Sequence, residues 1–262
     1  MLKELRELRK TCLQMANAGR DGNLQSVFSS MEIMWTLYDR VMNWSVERAL
    51  SPERDFFILS KGQATMGLTA ILARKGLFST DELMTFGRID SRFSMQADRT
   101  KFPEGGIENS AGSLGHGFPI AVGLALAHKI REMSNRVYVM VGDGEMNEGT
   151  MWEAAILASS KRLDNLCMII DDNDSIGRMI DMGSLSAKMT AFGFVTKSCD
   201  GHDVEALTEA FKRLKLPDRP SCLIAKTQRG YGSRTLMTDR SWFHRAPDDR
   251  ELEMLSAEVD AF

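Results

Sequence analysis

The chain of 262 residues is long enough for one large domain and too short for two comfortable ones. Its net charge of -3, with acids and bases interspersed, supplies no basic stripe and argues against a nucleic-acid partner. No apolar run approaches the roughly 20 residues of a membrane span, so the expectation is a soluble single domain over residues 1–262 with no membrane partner.

The first segment, MLKELRELRK, places Leu2, Leu5 and Leu8 at helical spacing. It lacks the unbroken apolar stretch of a secretion signal and reads as a folded helix of a cytoplasmic protein. Cys12, Cys167, Cys199 and Cys222 form no CxxC pair, and read as thiols in a reducing compartment. Continuous apolar runs at 56–59, 137–141, 166–170, 194–196 and 222–225 read as strands covered on both faces. Helical patterns at 65–75, 119–133, 150–161 and 204–214 lie between them, with a last helix near 248–259. Such alternation predicts an α/β fold, a parallel sheet with helices on both faces. His128 and His202 read as residues of a helix surface and a loop.

Two long stretches carry little periodicity. Residues 87–117 include GIENSAGSLGHG, rich in residues that let backbone approach a ligand, and read as a working loop over the sheet's edge. Residues 228–247 form a second loop. The helix after Pro119 carries Ala121, Gly123, Ala125 and Ala127, small residues that fit either core packing or a subunit interface.

The stretch VYVMVGDGEMNEG raises the question of function. Ligands of parallel sheets sit beyond the carboxyl ends of the strands, where Asp143 lies. Gly142 and Gly144 leave room for a phosphate, and the helix after Glu148 presents its positive end. A carboxylate beside a phosphate makes sense with a divalent cation between them. NLCMIIDDND then brings Asn173 to the next strand end, thirty residues on. Mg²⁺ takes near-octahedral oxygen ligands and keeps phosphates and water in its shell. Asp143, Asn173 and a backbone carbonyl near Ser175 are its expected protein ligands. A plain turn and a dinucleotide site are the alternatives, but GDGEMN lacks the third glycine of GxGxxG.

GDGEMNEGTMWEA, DDND and ENSAGSLGHGFPIAVG, with SSMEIMWTLY, LSKGQA and KTQRGYGS, resemble the transketolase family over nearly the whole chain. The resemblance implies a thiamine-diphosphate-binding (PP-type) domain that uses thiamine diphosphate and Mg²⁺. It implies that Gln63, Gly142, Gly144 and Glu145 serve the cofactor. It also implies that Gly112, Ser113 and Leu114 bend it and touch its aminopyrimidine, and that Glu148 and Glu153 link paired cofactors near a subunit interface. Where the family has histidines this chain reads Asn23, Gln63 and Gln96; amides keep hydrogen bonding but give up proton transfer near neutral pH. Asn23 and Gln96 are then substrate-facing. His116 stands where the family commonly has glutamine. His244 of WFHRAP is assigned the family's cofactor-contacting histidine position, although ungapped alignment from the tryptophan places Phe243 there.

In the family a second domain grips the aminopyrimidine and contributes a glutamate. The chain stops about where the first domain does, so a separate C-terminal subunit is expected to bring that pyrimidine-binding domain and catalytic Glu, in an α₂β₂ heterotetramer. The implied activity is transfer of a two-carbon unit from a ketose-type donor to an aldehyde. The rivals are a decarboxylating acyl transferase that uses a 2-keto acid such as pyruvate, and a non-catalytic cofactor-binding assembly subunit.

Overall fold

The computed structural model describes residues 1–175 and 180–262. In chain order the regular elements are α1 (Lys3–Gly19), α2 (Leu24–Thr36), β1 (Phe56–Leu59), α3 (Thr65–Arg74), α4 (Thr80–Leu83), α5 (Gly117–Ile130), β2 (Val137–Gly142) and α6 (Gly149–Ser160). They continue with β3 (Leu166–Asp172), α7 (Leu185–Ala191), β4 (Val195–Asp200), α8 (Val204–Arg213), β5 (Ser221–Lys226), α9 (Arg234–Thr238) and α10 (Asp249–Ala261). The strands form one parallel sheet in the order β1-β2-β3-β5-β4.

Strand side chains alternate between two cores, as the period of two requires. Phe57, Leu59, Tyr138, Met140, Ile169 and Leu223 face the layer built from α1, α2, α3 and α8. Ile58, Val139, Val141, Met168, Ile170 and Ile224 face α5, α6 and α7. Both faces are covered, which is why the strands read as unbroken apolar runs. β4 is longer than 194–196 because it is an edge strand whose half-exposed TKSCD stretch carries no apolar signal.

The loop of residues 87–117 lies along the edge strand β1, where the Asn109 amide pairs with the Leu59 N–H (3.2 Å) and C=O (3.1 Å) as a neighbouring strand would. Phe78, Phe93 and Phe102 pack together beneath it. The second loop is less irregular than its sequence, since it contains α9 and a 3₁₀ turn at Arg240–His244. On α5, Ala121 and Ala125 are buried against the sheet, whereas a side chain built at Gly123 would meet nothing. The small-residue pattern therefore divides between core and outer face.

One histidine reading is corrected, that of His128, while His202 lies in the turn between β4 and α8 as expected. His128 is buried against the Phe56 ring, and burial pushes its pKa down. His202 stacks on Tyr231 and bridges Glu32 to the Gln228 backbone. Cys12, Cys167 and Cys222 are buried free thiols, and Cys199 is partly buried. Among the described residues no helix is long and apolar enough to cross a membrane.

Candidate active site

Segments following β1, β2, β3 and β5 meet beyond the carboxyl edge of the sheet. Gly142 and Asp171 are register partners on β2 and β3, so Asp143 and Asn173 leave the sheet side by side. Both line a cleft of about 270 Å³ walled also by Gln63, Leu114, Ser175 and Phe243.

Asn173 is held in one orientation. Its Nδ2 donates to Asp171 Oδ2 and to Ser29 Oγ, each at 3.2 Å. Asp171, fully buried, also accepts from Ser29 Oγ at 2.8 Å, from the Lys61 ammonium and from the Thr227 hydroxyl. A carboxylate only accepts, so the amide must turn its nitrogen inward and its oxygen outward. That oxygen, Oδ1, is buried with no hydrogen-bond partner among the described residues. A buried acceptor left unsatisfied costs about 1–3 kcal/mol, and a cation held with Asp143 would relieve it.

The Asp143 carboxylate accepts from the Gly144 N–H at 2.9 Å, from the Ser175 N–H at 2.8 Å and from the Ser175 hydroxyl. Burial raises its pKa, and the Ser175 hydrogen bonds work against that rise. A buried carboxylate that resists ionisation gains from a bound cation. A Cβ at Gly142 would meet only the aliphatic part of Lys61 at 3.7 Å. The protein therefore leaves room at that turn, as the approach of a phosphate requires. Among the described residues no three His, Cys, Asp or Glu cluster as a complete metal site. This donor set is one carboxylate and one amide, suited to a hard cation that also takes ligand oxygens. The residues present thus fit a diphosphate bound through a divalent ion.

Glu145 lines the cleft, and its carboxylate accepts from Ser60 Oγ (2.6 Å), Gly115 N (3.0 Å) and Gly142 N (3.0 Å), lashing three loops together. Burial raises its pKa too. Ser175, on the cleft wall, donates to Asp143 through both its N–H and its hydroxyl, an addition to the role expected of its carbonyl. Several expected roles need correction. Asn23 is the buried N-cap of α2, its side chain accepting from Ser26 N at 3.3 Å, and it does not line the cleft. His116 is exposed at the start of α5 with Nδ1 bonded to Leu114 O at 3.0 Å, outside the cleft. His244 also lies outside it; Phe243 forms the wall, edge to face with the His244 ring.

Gln63 and Leu114 line the cleft as expected. Gln96 is exposed with its Oε1 2.5 Å from where a Cβ on Gly112 would sit, so the glycine admits the amide, and Ser113 is exposed close by. Glu148 and Glu153 are exposed at the start of α6.

Asp171, Lys61, Gln25 and Arg229 escaped the sequence reading. A signal existed for the first: Asp171 and Asn173 are two residues apart and share one side of the strand, whereas Asp172 turns outward to Lys226. For Gln25 and Arg229, which meet across 204 residues of chain, there was none.

Comparison with known proteins follows the same line. The family described as "Transketolase, thiamine diphosphate binding domain" matches residues 1–256. One subunit of the apulose-4-phosphate transketolase of Actinobacillus succinogenes is 35% identical over 256 residues, covering 96% of this chain and 92% of the relative. A 6-deoxy-6-sulfo-D-fructose transketolase subunit of a Clostridium species is 34% identical over 232 residues, covering 86% and 84%. Among solved structures, the transketolase from Leishmania mexicana superposes with a TM-score of 0.88 at 25% identity. That likeness covers 98% of this chain and 41% of the solved one, so the chain spans about two-fifths of that enzyme.

Proposed function

As this chain belongs to the transketolase family and carries its thiamine diphosphate binding domain, we propose that it is the cofactor-binding subunit of a two-component transketolase. The reaction is transfer of a two-carbon unit from a ketose-type donor to an aldehyde acceptor. The observation that carries the reading is the unsatisfied Oδ1 of Asn173, locked in place beside Asp143.

Asp143 and Asn173 would hold Mg²⁺ against the diphosphate, with Gly142 and Gly144 giving the phosphates room and Gln63 offering its amide. When bound, thiamine diphosphate supplies an electron sink that lets a carbon–carbon bond beside a carbonyl be broken and remade. Leu114 and Phe243 give the cleft apolar walls, and each keeps exposed surface for a ligand to cover. Glu145 keeps the β1, β2 and Gly115 loops in register. Asn23 and Gln96 stay with substrate binding as proposals; Asn23 acts only through α2.

Two similar chains of comparable length are named as transketolase subunits, which supports a partner subunit here. We assign that partner the pyrimidine-binding domain and catalytic glutamate, in an α₂β₂ assembly. Exposed Glu148 and Glu153, with exposed Ile156 and Leu157 further along α6, suit such an interface. The names of the two relatives each contain an anionic sugar, a phosphate in one and a sulfonate in the other, and we extend an anionic sugar-type substrate to this chain.

The test is thiamine diphosphate titration of this chain with its partner, with and without Mg²⁺, followed by assay of ketol transfer from a ketose phosphate. Metal-dependent binding and ketol transfer are expected. Metal-independent binding, or CO₂ from pyruvate without ketol transfer, would overturn the reading.

A further inference from the structure

His202 does not line the cleft, yet both of its ring nitrogens are engaged by groups that admit one protonation state. Its side chain is 8% exposed. Nδ1 lies 3.2 Å from Glu32 Oε2, and the Gln228 backbone N–H donates to Nε2 at 2.8 Å. A carboxylate can only accept and a backbone N–H can only donate, so the ring is neutral and carries its hydrogen on Nδ1. The charge of Glu32 is already met by Arg9, whose Nη2 donates to both carboxylate oxygens at 2.7 and 2.8 Å, and both residues are buried. The Tyr231 ring stacks on the imidazole with centroids 3.6 Å apart and planes 10° from parallel, which fixes the ring's plane.

Gln228 follows Thr227, whose hydroxyl donates to Asp171, the carboxylate that turns the Asn173 amide. The Thr227 N–H donates to Asp172 O at 3.1 Å. The start of the segment after β5 is thus pinned to the end of β3 on one side and to His202 on the other. A second proton on Nε2 would set two N–H groups head to head across 2.8 Å, and one of them must withdraw. Glu32 and Tyr231 grip the ring, so the Gln228 side gives way. The charged and titratable groups around the ring are Arg9 on α1, Glu32 on α2, Asp200 at the end of β4, Asp203 and Glu205 at the start of α8, Tyr231 and the amino group of Met1.

We propose that His202 is a positioning residue for the cofactor cleft: its neutral ring holds the Gln228 N–H, and with it the Thr227 hydroxyl on Asp171, and protonation releases that hold. The hold is complete where imidazole is neutral and is lost as pH falls, within the range of about pH 5–8 in which histidine changes charge. The contact itself stands on the geometry; that it serves a cofactor rests on the transketolase reading.

Nitrogen NMR of the full chain reads the ring and the Gln228 amide directly. At about pH 8 the hydrogen is expected on Nδ1 with Nε2 bare; toward about pH 5.5 Nε2 takes a proton, and the Gln228 amide signal moves with the same midpoint. Thiamine diphosphate is then titrated with Mg²⁺ into the chain and its partner at both pH values. The parent should lose about fivefold more affinity over that interval than H202Q, whose amide offers Gln228 an acceptor and takes no proton; fivefold is the scale of one neutral hydrogen bond. H202N keeps a donor for Glu32 but is too short for Gln228, and should bind about fivefold more weakly than H202Q near pH 8. A ring that merely fills space would leave the two amides equal and the parent's pH dependence unchanged in H202Q. Poor folding of H202N leaves the NMR titration and the H202Q comparison to decide. Hydrogen on Nε2 near pH 8, a Gln228 amide indifferent to the ring's titration, or the same pH dependence in parent and H202Q overturns the proposal. Failure of thiamine diphosphate to bind near pH 8 would instead remove the cofactor reading, and the NMR titration would still decide the hold.

Discussion

Replacing Asp171 by Leu removes the anion against which Lys61, Ser29, Thr227 and Asn173 are all arranged. The Lys61 side chain is 6% exposed and would keep only Ser26 O and Ser29 Oγ, both at 3.0 Å and both neutral. Breaking a buried ion pair from one side costs about 3–5 kcal/mol, because the other charge stays buried and uncompensated. That is a large share of the roughly 5–15 kcal/mol that holds a domain folded. Urea unfolding of D171L and of K61M should each show this loss. The double variant K61M/D171L, with neither charge, should return to within about 1–2 kcal/mol of the parent. Metal-dependent cofactor binding should not return with it. Without Asp171 the Asn173 amide is free to turn, and losing the group that orients a ligand typically costs about 10–100-fold in metal affinity. In an N173A background, D171L should add no further loss of metal affinity, since only the amide's orientation is at stake. Single variants within about 1 kcal/mol of the parent, or a double variant with undiminished magnesium dependence, would refute the reasoning.

Burial raises the Asp143 pKa, so in the folded chain it works against the ionised carboxylate. The sign follows: its contribution to stability is present at low pH and is lost as pH rises through the raised folded value. D143N should therefore melt higher than the parent near neutral pH, with the gap closing as pH falls toward the ordinary Asp value of 3.8, while Mg²⁺-dependent binding is abolished. A D143N chain less stable than the parent at pH 7 would contradict this. At the start of α5, a Cβ on Gly117 would sit 2.6 Å from Ser60 Cα. G117A should cost about 1–3 kcal/mol in denaturant unfolding, the usual range for overpacking, and unchanged stability would show that the α5 start is free to move. At the cleft wall, Phe243 is 45% exposed, so a ligand could cover only part of it; F243A should weaken thiamine diphosphate binding by about fivefold, as loss of roughly 1 kcal/mol of apolar contact implies. H244A should leave it within about twofold; the reverse ranking in a cofactor titration would restore the histidine.

The sequence by itself determined the parallel sheet, since strands covered on both faces must be apolar throughout and their helices fall between them. It also determined Asp143 and Asn173 as a pair, because successive strands of one parallel sheet end at the same edge and the two residues stand one βαβ unit apart. Local rules reach that far because they concern what a residue does to its own strand. What each site residue touches depends on packing between segments remote in sequence, and this only the tertiary structure decided. Glu145 is tied to Ser60 and Gly115 from 85 and 30 residues away, contacts that its own stretch of sequence does not announce. One helical turn settled Phe243 against His244, since a 3₁₀ turn at 240–244 faces one ring to the cleft and its neighbour outward. The inward hold on the Asn173 nitrogen, and the Arg229 guanidinium propped on Gln25, arise where α2 and the segment after β5 pack against the ends of the strands. No periodicity in the chain records that meeting, because its partners are set by the assembled layers and by no neighbour in sequence.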